Sequence, residues 1–380
     1  MTSPDVVVVG AGIIGAACAF YLARAGATVT VLDAGPIAGG TSSAGEGNVL
    51  ISDKPPGPEL DLALRSRELW DELAAELGAG SIELESKGGL MVAATGAGLA
   101  RVADLARAHR AAGVEVAVLT PEQLRDYEPR LAAGLAGGTY YPRDAQVQPM
   151  LATAELLAAS GAQVRCGERV LSVEVAGGAV TGVRLAGGVL ATGAVVNATG
   201  VAAGDLAASV GGRLPIEPRR GFILVTEPLA SAREQPPIRR KVYAAEYVDA
   251  VASDDAGFQS AAVVEGTRAG TVLIGSSRER RQVDDSYPLP VLRRIAAQAL
   301  ALFPFLAGVR VLRAYRGFRP YSPDHLPVIG PDPRVAGLWH ATGHEGAGIG
   351  LAPATGAMIA AQVTGGASDV DPAPFTPARF

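Results

Sequence analysis

The fold is decided by residues 5–33, which read DVVVVGAGIIGAACAFYLARAGATVTVLD. The four valines of Val6–Val9 are apolar and β-branched, which is typical of a strand buried on both faces. The alanine-rich segment after the glycines predicts a helix that ends at Gly26. Residues 27–33 then predict a second buried strand that finishes on an acid. This order of strand, helix and strand indicates a βαβ unit.

Three glycines of this turn lie where a bound dinucleotide requires them. Gly10 allows a tight turn, Gly12 lets backbone N–H groups approach a pyrophosphate, and Gly15 lets the helix pack closely on the strand. The positive end of the helix favours the phosphates. Asp33 follows at the position that accepts a hydrogen bond from a ribose hydroxyl, and an acid there disfavours NADP. An ordinary crossover with a glycine turn is the alternative, but it does not explain the position of the acid.

The composition of the whole chain limits the class of protein. At 380 residues, with 48% hydrophobic side chains, the chain is long enough for two intertwined domains. Cys18 and Cys166 form neither a disulfide framework nor a metal-ligand set, so we expect a cytoplasmic protein without a metal ion. A net charge of −5 gives no reason to bind nucleic acid, and the first apolar run is too short for a signal peptide or a membrane span.

A loop rich in small residues follows Asp33 and extends to Asn48. Loops of this length inside a compact domain are usually functional. We expect the backbone amides and hydroxyls of Thr41, Ser42 and Ser43 to run beside an extended cofactor. A flexible linker is the alternative.

The predicted strands fall into two groups along the chain. Buried strands next to glycines indicate a discontinuous cofactor domain built from 1–79, 145–210 and 318–380. The segments 80–144 and 211–317 are turn-rich and mostly strand-like, and 211–317 also carries many arginines and several tyrosines. We expect these two segments to form a substrate domain with an antiparallel sheet.

A second glycine-rich turn lies near the end of the chain. RGFRP at 316–320 and LPVIG at 326–330 precede GHEGAGIG at 343–350, which leads into a helix. A strand therefore feeds a glycine turn and a helix for a second time, and this aims another positive helix end at the ligand. A flavin ring, with its electron-rich pyrimidine edge, is a ligand that needs such a group.

These motifs resemble the D-amino acid oxidase superfamily of FAD enzymes, in particular its glycine oxidase and sarcosine oxidase branch. The resemblance covers most of the chain and is strongest in 5–33, 317–330 and 343–356. It implies an α/β fold, in which an FAD-binding, Rossmann-like domain of the glutathione-reductase type joins an antiparallel-sheet α+β substrate domain. It also implies non-covalent FAD, because the single-chain sarcosine oxidases attach flavin to a late cysteine and both cysteines here are early.

The resemblance assigns FAD contacts to the two glycine turns, to the loop after the ribose acid and to a few strand ends. These residues are Gly10, Gly12, Ile13, Ile14, Gly15, Asp33, Ala34, Gly40, Thr41, Ser42, Ser43, Gly45, Gly47, Asn48, Val170, Ala198, Thr199, Gly200, Arg319, Gly343, His344, Glu345, Gly346, Ala347, Gly348 and Ile349.

Arg319 is the predicted substrate anchor. In the family pattern, the arginine of an Arg-Pro pair before this Leu-Pro-Val-Ile-Gly element grips the substrate carboxylate. A guanidinium holds a carboxylate through two hydrogen bonds and so fixes the amine-bearing carbon over the flavin. The alternatives are that Arg319 pairs with Asp324, or that Arg316 is the anchor. Tyr247 or Tyr243 would complete the catalytic clamp.

The expected reaction is oxidation of an amino acid amine. Hydride passes from Cα to flavin N5, and water hydrolyses the imino acid to a 2-oxo acid and an amine. This requires placement and a neutral amine more than a protein base, so the lack of an evident His–carboxylate pair in the sequence is not a difficulty. His344 is expected to contact the flavin, and His325 to be a structural loop residue. Oxygen or another carrier accepts the electrons, and the protein could be an oligomer.

The substrate class follows from one departure from the family pattern. Relatives of the glycine oxidase kind often carry a second arginine in the turn that here reads Glu345-Gly346-Ala347. Its absence favours an N-substituted glycine, giving glyoxylate and an amine, over glycine itself. A D-amino acid or D-hydroxyproline dehydrogenase is the alternative, including as the FAD subunit of a hetero-oligomer. An NAD-dependent dehydrogenase and a non-catalytic FAD-bearing subunit are alternatives of another class.

The first prediction concerns the colour of the protein. Since both glycine turns are assigned to one FAD molecule, the purified protein is expected to be yellow, with the absorption spectrum of an oxidised flavin. Protein that stays colourless after soaking in excess FAD would contradict the assignment.

Overall fold

The computed structural model of the protein describes residues 3–229, 236–281 and 284–380. Its helices are α1 Ile13–Arg24, α2 Pro58–Leu77, α3 Gly96–Ala111, α4 Pro121–Tyr127, α5 Pro149–Ser160, α6 Ala203–Ala208, α7 Glu246–Val251, α8 Leu289–Leu302 and α9 Gly348–Thr364. Its strands are β1 Val6–Val9, β2 Val29–Asp33, β3 Asn48–Val49, β4 Gly89–Ala93, β5 Ala117–Leu119, β6 Gly137–Tyr141, β7 Ala145–Gln146, β8 Gln163–Cys166, β9 Ser172–Ala176, β10 Ala179–Leu185, β11 Gly188–Ala191, β12 Ala194–Asn197, β13 Glu217–Thr226, β14 Lys241–Ala244, β15 Gln259–Gly266, β16 Val272–Arg278, β17 Val311–Tyr321, β18 Val328–Pro331 and β19 Leu338–Thr342.

A mostly parallel sheet is built around the first strand. Its six strands lie in the order β18-β19-β12-β1-β2-β8. β1 pairs in parallel with β2 and with β12, and β18 runs antiparallel to β19 at the edge. All four valines of β1 are buried, as a central strand covered on both faces requires. The predicted βαβ unit is confirmed, with α1 packed against α9 and α5.

A second, larger sheet carries the other group of strands. Its eight strands lie in the order β17-β13-β16-β15-β14-β4-β6-β5. Neighbours are antiparallel except for β4 and β14, which are parallel. These two strands come from distant segments of the chain, so no hairpin forces them to run in opposite directions. The predicted fold class is confirmed, with this one parallel pair in an otherwise antiparallel sheet.

The division into two domains remains a prediction that the sheets support. The strands of the six-stranded sheet all lie within 1–79, 145–210 and 318–380. The strands of the eight-stranded sheet lie within 80–144 and 211–317, except that β17 continues past residue 317 to Tyr321. Residues 1–2, 230–235 and 282–283 of that division lie outside the described part of the chain.

The ends of the helices follow local sequence signals. Thr120 caps α4 in a reciprocal capping box with Gln123. Gly161 ends α5 in the left-handed conformation, with a φ of 62°. Within the described ranges, no helix is long and apolar enough to cross a membrane.

The approach of α9 to α1 sets the position of the second glycine turn. A Cβ at Gly356 would lie 2.6 Å from the carbonyl oxygen of Ala17, so only glycine fits this helix crossing. The indole Nε1 of the buried Trp70 donates to the carbonyls of Ile349 and Gly350, each at 3.2 Å. These contacts hold the N-terminus of α9 beside that of α1.

Substitution at the helix crossing tests this packing. Gly356→Val is expected to lower the free energy of unfolding by about 1–3 kcal/mol, because the added carbons meet backbone that cannot move aside cheaply. Gly96→Ala is the matched control, since the space around Gly96 in α3 is open and the change should stay within about 0.5 kcal/mol. Urea denaturation measures both variants. Equal effects would show that the crossing tolerates a side chain.

Candidate active site

A cavity of about 460 Å³ lies where the β1–α1 turn, the 39–48 loop, β17 and the start of α9 meet. Most of the predicted site residues line it. They are Gly10, Gly12, Ile13, Ile14, Asp33, Gly40, Thr41, Ser42, Ser43, Gly45, Asn48, Ala198, Thr199, Gly200, Tyr247, Arg319, His344, Glu345, Gly346, Gly348 and Ile349. Residues from both ends of the chain therefore share one cavity.

The nucleotide end of the cavity is formed by backbone. Gly10 has a φ of 113°, and a Cβ there would lie 2.3 Å from the carbonyl oxygen of Ala198. Gly12, the residue before α1, has no side chain of its own to cap the helix, and such a helix end suits phosphate. The carboxylate of Asp33 accepts hydrogen bonds from the backbone N–H groups of Ala11 and Gly35, both at 2.7 Å. Each oxygen keeps a further lone pair for a ribose hydroxyl.

The 39–48 loop is an ordered wall of the cavity and not a flexible linker. Residues Thr41–Ala44 form a 3-10 turn. The hydroxyl of Ser42 accepts from the N–H of Ile13 at 2.9 Å, and the hydroxyl of Thr41 donates to the carbonyl of Phe318 at 2.7 Å. The loop therefore ties the nucleotide end of the cavity to strand β17.

His344 lies at the second helix end. Its Nε2 is 2.9 Å from the hydroxyl of Thr355, and its Nδ1 is buried without a hydrogen-bond partner in the described structure. Burial lowers the pKa of His344 to about 3, so the ring is neutral near pH 7. Since no side chain caps α9, this end of the cavity offers an uncapped helix N-terminus and an unused imidazole nitrogen to a bound ring.

Arg319, the predicted substrate anchor, lies on the wall of the cavity. One guanidinium N–H donates to the carbonyl of Ser277 at 2.8 Å, and in the described part of the chain no carboxylate lies within ion-pair distance. Burial and the neighbouring Arg278 lower the pKa of Arg319 to about 10, which leaves it charged at neutral pH. Asp324, the alternative partner, instead binds Arg379 at 2.6 Å.

The other candidates for the anchor and the clamp differ in placement. Arg316 also lines the cavity but is bound to Asp285. Tyr247 lines the cavity, whereas Tyr243 does not. The hydroxyl of Tyr243 is fully buried and hydrogen-bonds to Asp144 at 3.2 Å, so its placement argues against a role in the clamp.

The remaining predicted cofactor residues lie outside the cavity lining. They are Gly15, Ala34, Gly47, Val170, Gly343 and Ala347. Gly15 and Gly47 act through close packing, because a Cβ would lie 1.8 Å from the carbonyl oxygen of Gly10 and 1.9 Å from that of Val147, respectively. Val170 packs against the apolar cluster beside the parallel sheet.

The sequence did not reveal a His–carboxylate pair beside the cavity. The Nδ1 of His325 is 2.8 Å from Glu345, and its Nε2 is 3.0 Å from Asp254. These carboxylates, chiefly Glu345, raise the pKa of His325. Glu345 also binds the buried Arg219 at 3.0 Å. No motif shows this pair, because His325 and Glu345 lie 20 residues apart in the sequence and meet only through the fold.

Several other cavity residues carried no sequence signal. Gly221 and Tyr287 line the cavity although no motif contains them, and Glu46 lines it from within the predicted loop although it was not predicted as a site residue. Neither cysteine lines it, since Cys18 is buried in α1 and Cys166 is exposed at the end of β8. This placement supports non-covalent binding of a cofactor.

Comparison with known proteins gives a consistent result. The family model for FAD-dependent oxidoreductases, DAO, matches residues 5–362. The chain is 31% identical to the glycine oxidase of Pseudomonas putida, covering 99% of this chain and 98% of that one. It is 29% identical to a D-amino acid dehydrogenase of Xanthobacter autotrophicus, covering 99% of each chain. The crystal structure of glycine oxidase from Geobacillus kaustophilus superposes with a TM-score of 0.88 at 29% identity, covering 100% of both chains.

The neutral state of His344 gives a prediction for stability against pH. Below pH 6.5 the unfolded chain protonates this residue, whereas the folded protein keeps it neutral to about pH 3, so stability is lost as the pH falls. When the pH is lowered from 7.5 to 5.5, the free energy of unfolding of His344→Asn is therefore expected to fall by about 1–1.5 kcal/mol less than that of the wild type. Urea denaturation at the two pH values measures this difference.

His325→Asn is the control of opposite sign. In the wild type, the raised pKa of His325 stabilises the folded protein at low pH, and this contribution is lost as the pH rises above 6.5. His325→Asn lacks this contribution. The same pH dependence in wild type and His344→Asn would contradict the buried neutral state of His344.

Proposed function

Because this chain belongs to the family of FAD-dependent oxidoreductases, we propose that it oxidises the amine of an amino acid whose carboxylate binds Arg319. One observation carries the proposal. Arg319 places a charged guanidinium on the cavity wall without an acidic partner among the described residues, and Tyr247 lines the same cavity. A carboxylate is the ligand that such a guanidinium binds most strongly.

The cavity fits the cofactor of the family. The start of α1 and the glycine turn would hold the pyrophosphate, Asp33 the ribose, and the start of α9 with His344 the flavin ring. Bound FAD supplies an acceptor for two electrons and the hydrogen on the substrate Cα. The NAD-dependent alternative is incompatible with the family match.

The protein groups contribute mainly orientation and charge. Arg319 holds the carboxylate and so limits the rotation of the amine-bearing carbon. His344 stays neutral and cannot take part as an acid near pH 7, which agrees with a role in cofactor contact. A substrate amine in its neutral form needs no protein base before oxidation, and water then hydrolyses the imine product.

The space beside Arg319 favours an N-substituted glycine, which would yield glyoxylate and an amine. Gly346 faces the Arg319 side chain, and a Cβ there would lie 3.4 Å from its Nε. Glu345 is held away by Arg219 and His325, so the turn brings no second cation and little bulk. A D-amino acid or D-hydroxyproline is the second candidate, which the similarity to a D-amino acid dehydrogenase favours.

Three further points remain predictions. The electron acceptor is oxygen or another carrier, the protein is located in the cytoplasm, and it could form an oligomer. A non-catalytic FAD subunit would have no need of Arg319, which this chain retains.

Replacement of the anchor tests the proposed function. Arg319→Ala is expected to lower kcat/KM about 100- to 1000-fold for every amino acid that reduces the flavin, since a desolvated charge pair is lost. Anaerobic stopped-flow bleaching of the flavin by sarcosine, glycine, D-alanine and D-proline measures the effect. Arg313→Ala is the matched control, because Arg313 lies exposed on the same strand. An unchanged KM for all amines in Arg319→Ala would overturn the assignment.

A further inference from the structure

Three arginines lie on one face of the eight-stranded sheet beside the cavity. Strand pairing places Arg219 opposite Arg319, and Gln259 opposite Arg278. Directly opposed residues of antiparallel strands project from the same face. Arg219 donates to Gln259 at 3.4 Å, which joins the two pairs on a single face. This arginine face is defined by Arg219, Arg278 and Arg319.

The charges on the arginine face are not balanced. Arg219 is neutralised by Glu345 at 3.0 Å. Arg278 is buried, with 5% of its surface exposed, and in the described part of the chain it has neither an ion pair nor a hydrogen bond. Among the described residues, the guanidinium of Arg319 has one hydrogen-bond partner, the carbonyl of Ser277, and no acid. Two guanidinium groups therefore remain without an acid.

Glu46, an acid of the cavity wall, does not neutralise Arg278 or Arg319. Glu46 lines the cavity, but its carboxylate accepts from the side-chain amide of Asn48 at 3.2 Å and makes no ion pair with either arginine. A buried guanidinium without a partner is costly. An anion that enters the cavity would remove this cost.

Arg278 is not itself part of the cavity lining, but it contacts Tyr247, which lines the cavity together with Arg319. The guanidinium of Arg278 lies 5.1 Å from the ring centroid of Tyr247, which lines the cavity. The carbonyl that holds Arg319 belongs to Ser277, the residue next to Arg278. Arg319 and Tyr247 can satisfy one carboxylate, and Arg278 is then left for a second anion.

We propose that Arg278 is a specificity-determining residue that binds a second carboxylate, so that the substrate is an amino acid with two acidic groups. The second group is carried either on the amine, as in an N-carboxyalkyl amino acid, or on the side chain, as in an acidic amino acid. This inference rests on the proposed function, with Arg319 holding the first carboxylate. Among the described residues, Glu46 and Glu345 make no ion pair with Arg278 or Arg319, and these two unpaired cations favour such a dianion over a substrate with one carboxylate.

Matched substrate pairs test the proposal in the FAD-loaded enzyme. The pairs are iminodiacetate with sarcosine, and each enantiomer of aspartate with the same enantiomer of alanine. In anaerobic flavin reduction, the wild type is expected to prefer the diacid in at least one pair by about tenfold or more in kcat/KM. Arg278→Met should lower this diacid-to-monoacid ratio about 10- to 100-fold, and Arg278→Lys should restore part of it.

Arg280→Met is the matched control. Arg280 also stacks on a tyrosine, at 3.9 Å from the Tyr321 ring, but its charge is paired with Glu217. This variant should keep the wild-type ratio. If Arg278→Met does not fold, the diacid-to-monoacid ratio of Arg278→Lys tests the proposal instead. Lysine retains the charge but loses the two-pronged geometry, so this ratio should be below that of the wild type.

Calorimetry separates failure of this inference from failure of the proposed function. Malonate and succinate should bind the FAD-loaded enzyme more tightly than acetate and propionate, and Arg278→Met should remove the difference. Flavin reduction by monocarboxylates alone, with no preference for any diacid, would overturn the role of Arg278 but leave Arg319 as anchor. If no amine reduces the flavin, the proposed function fails. If Arg278→Met binds dicarboxylates as tightly as the wild type does, the inference about Arg278 is overturned as well.

Discussion

The structure depends on how closely backbone segments approach one another at the turn between β1 and α1. A Cβ at Gly10 would lie 2.3 Å from the carbonyl oxygen of Ala198, and one at Gly15 would lie 1.8 Å from that of Gly10. These contacts leave the N-terminus of α1 open to the cavity. The hydroxyl of Thr41 donates to the carbonyl of Phe318 at 2.7 Å. Phe318 precedes Arg319 in β17, so the nucleotide end of the cavity helps to position that strand and Arg319. The loop beside the nucleotide turn is therefore hydrogen-bonded to the strand that carries Arg319.

The positive charge beside Arg319 depends on which acids are already paired with other side chains of the protein. Glu345 adopts a left-handed backbone, with a φ of 46°, and its carboxylate contacts both Arg219 and His325. Because that acid is used within the protein wall, it does not neutralise Arg278 or Arg319. The turn before α9 thus carries an acid, and the two arginines of the arginine face without an acidic partner among the described residues come from β16 and β17.

Much of the fold could be predicted because its signals are local. The βαβ unit depends on residues close in sequence, and the capping box at Thr120 and the left-handed Gly161 mark helix ends without help from the rest of the chain. The position of Arg319 on the cavity wall could be predicted because a motif surrounds it. Arg278 could not, since its strand reads like any other and its isolation from acids exists only after the strands pair. Tyr243 and Tyr247 are equally plausible in the sequence, and only packing decides which hydroxyl is already bound to Asp144.

By itself, the sequence determined the nucleotide turn, the order of strands and helices, and the presence of an arginine before the last parallel-sheet strands. These properties depend on backbone geometry and on periodic burial, which act over a few residues. The tertiary structure decided which charges remain unpaired, because the acids and arginines of the site come from β13, β16, β17 and the turn before α9. Coulomb interactions depend on distance in space and on burial, and separation along the chain specifies neither.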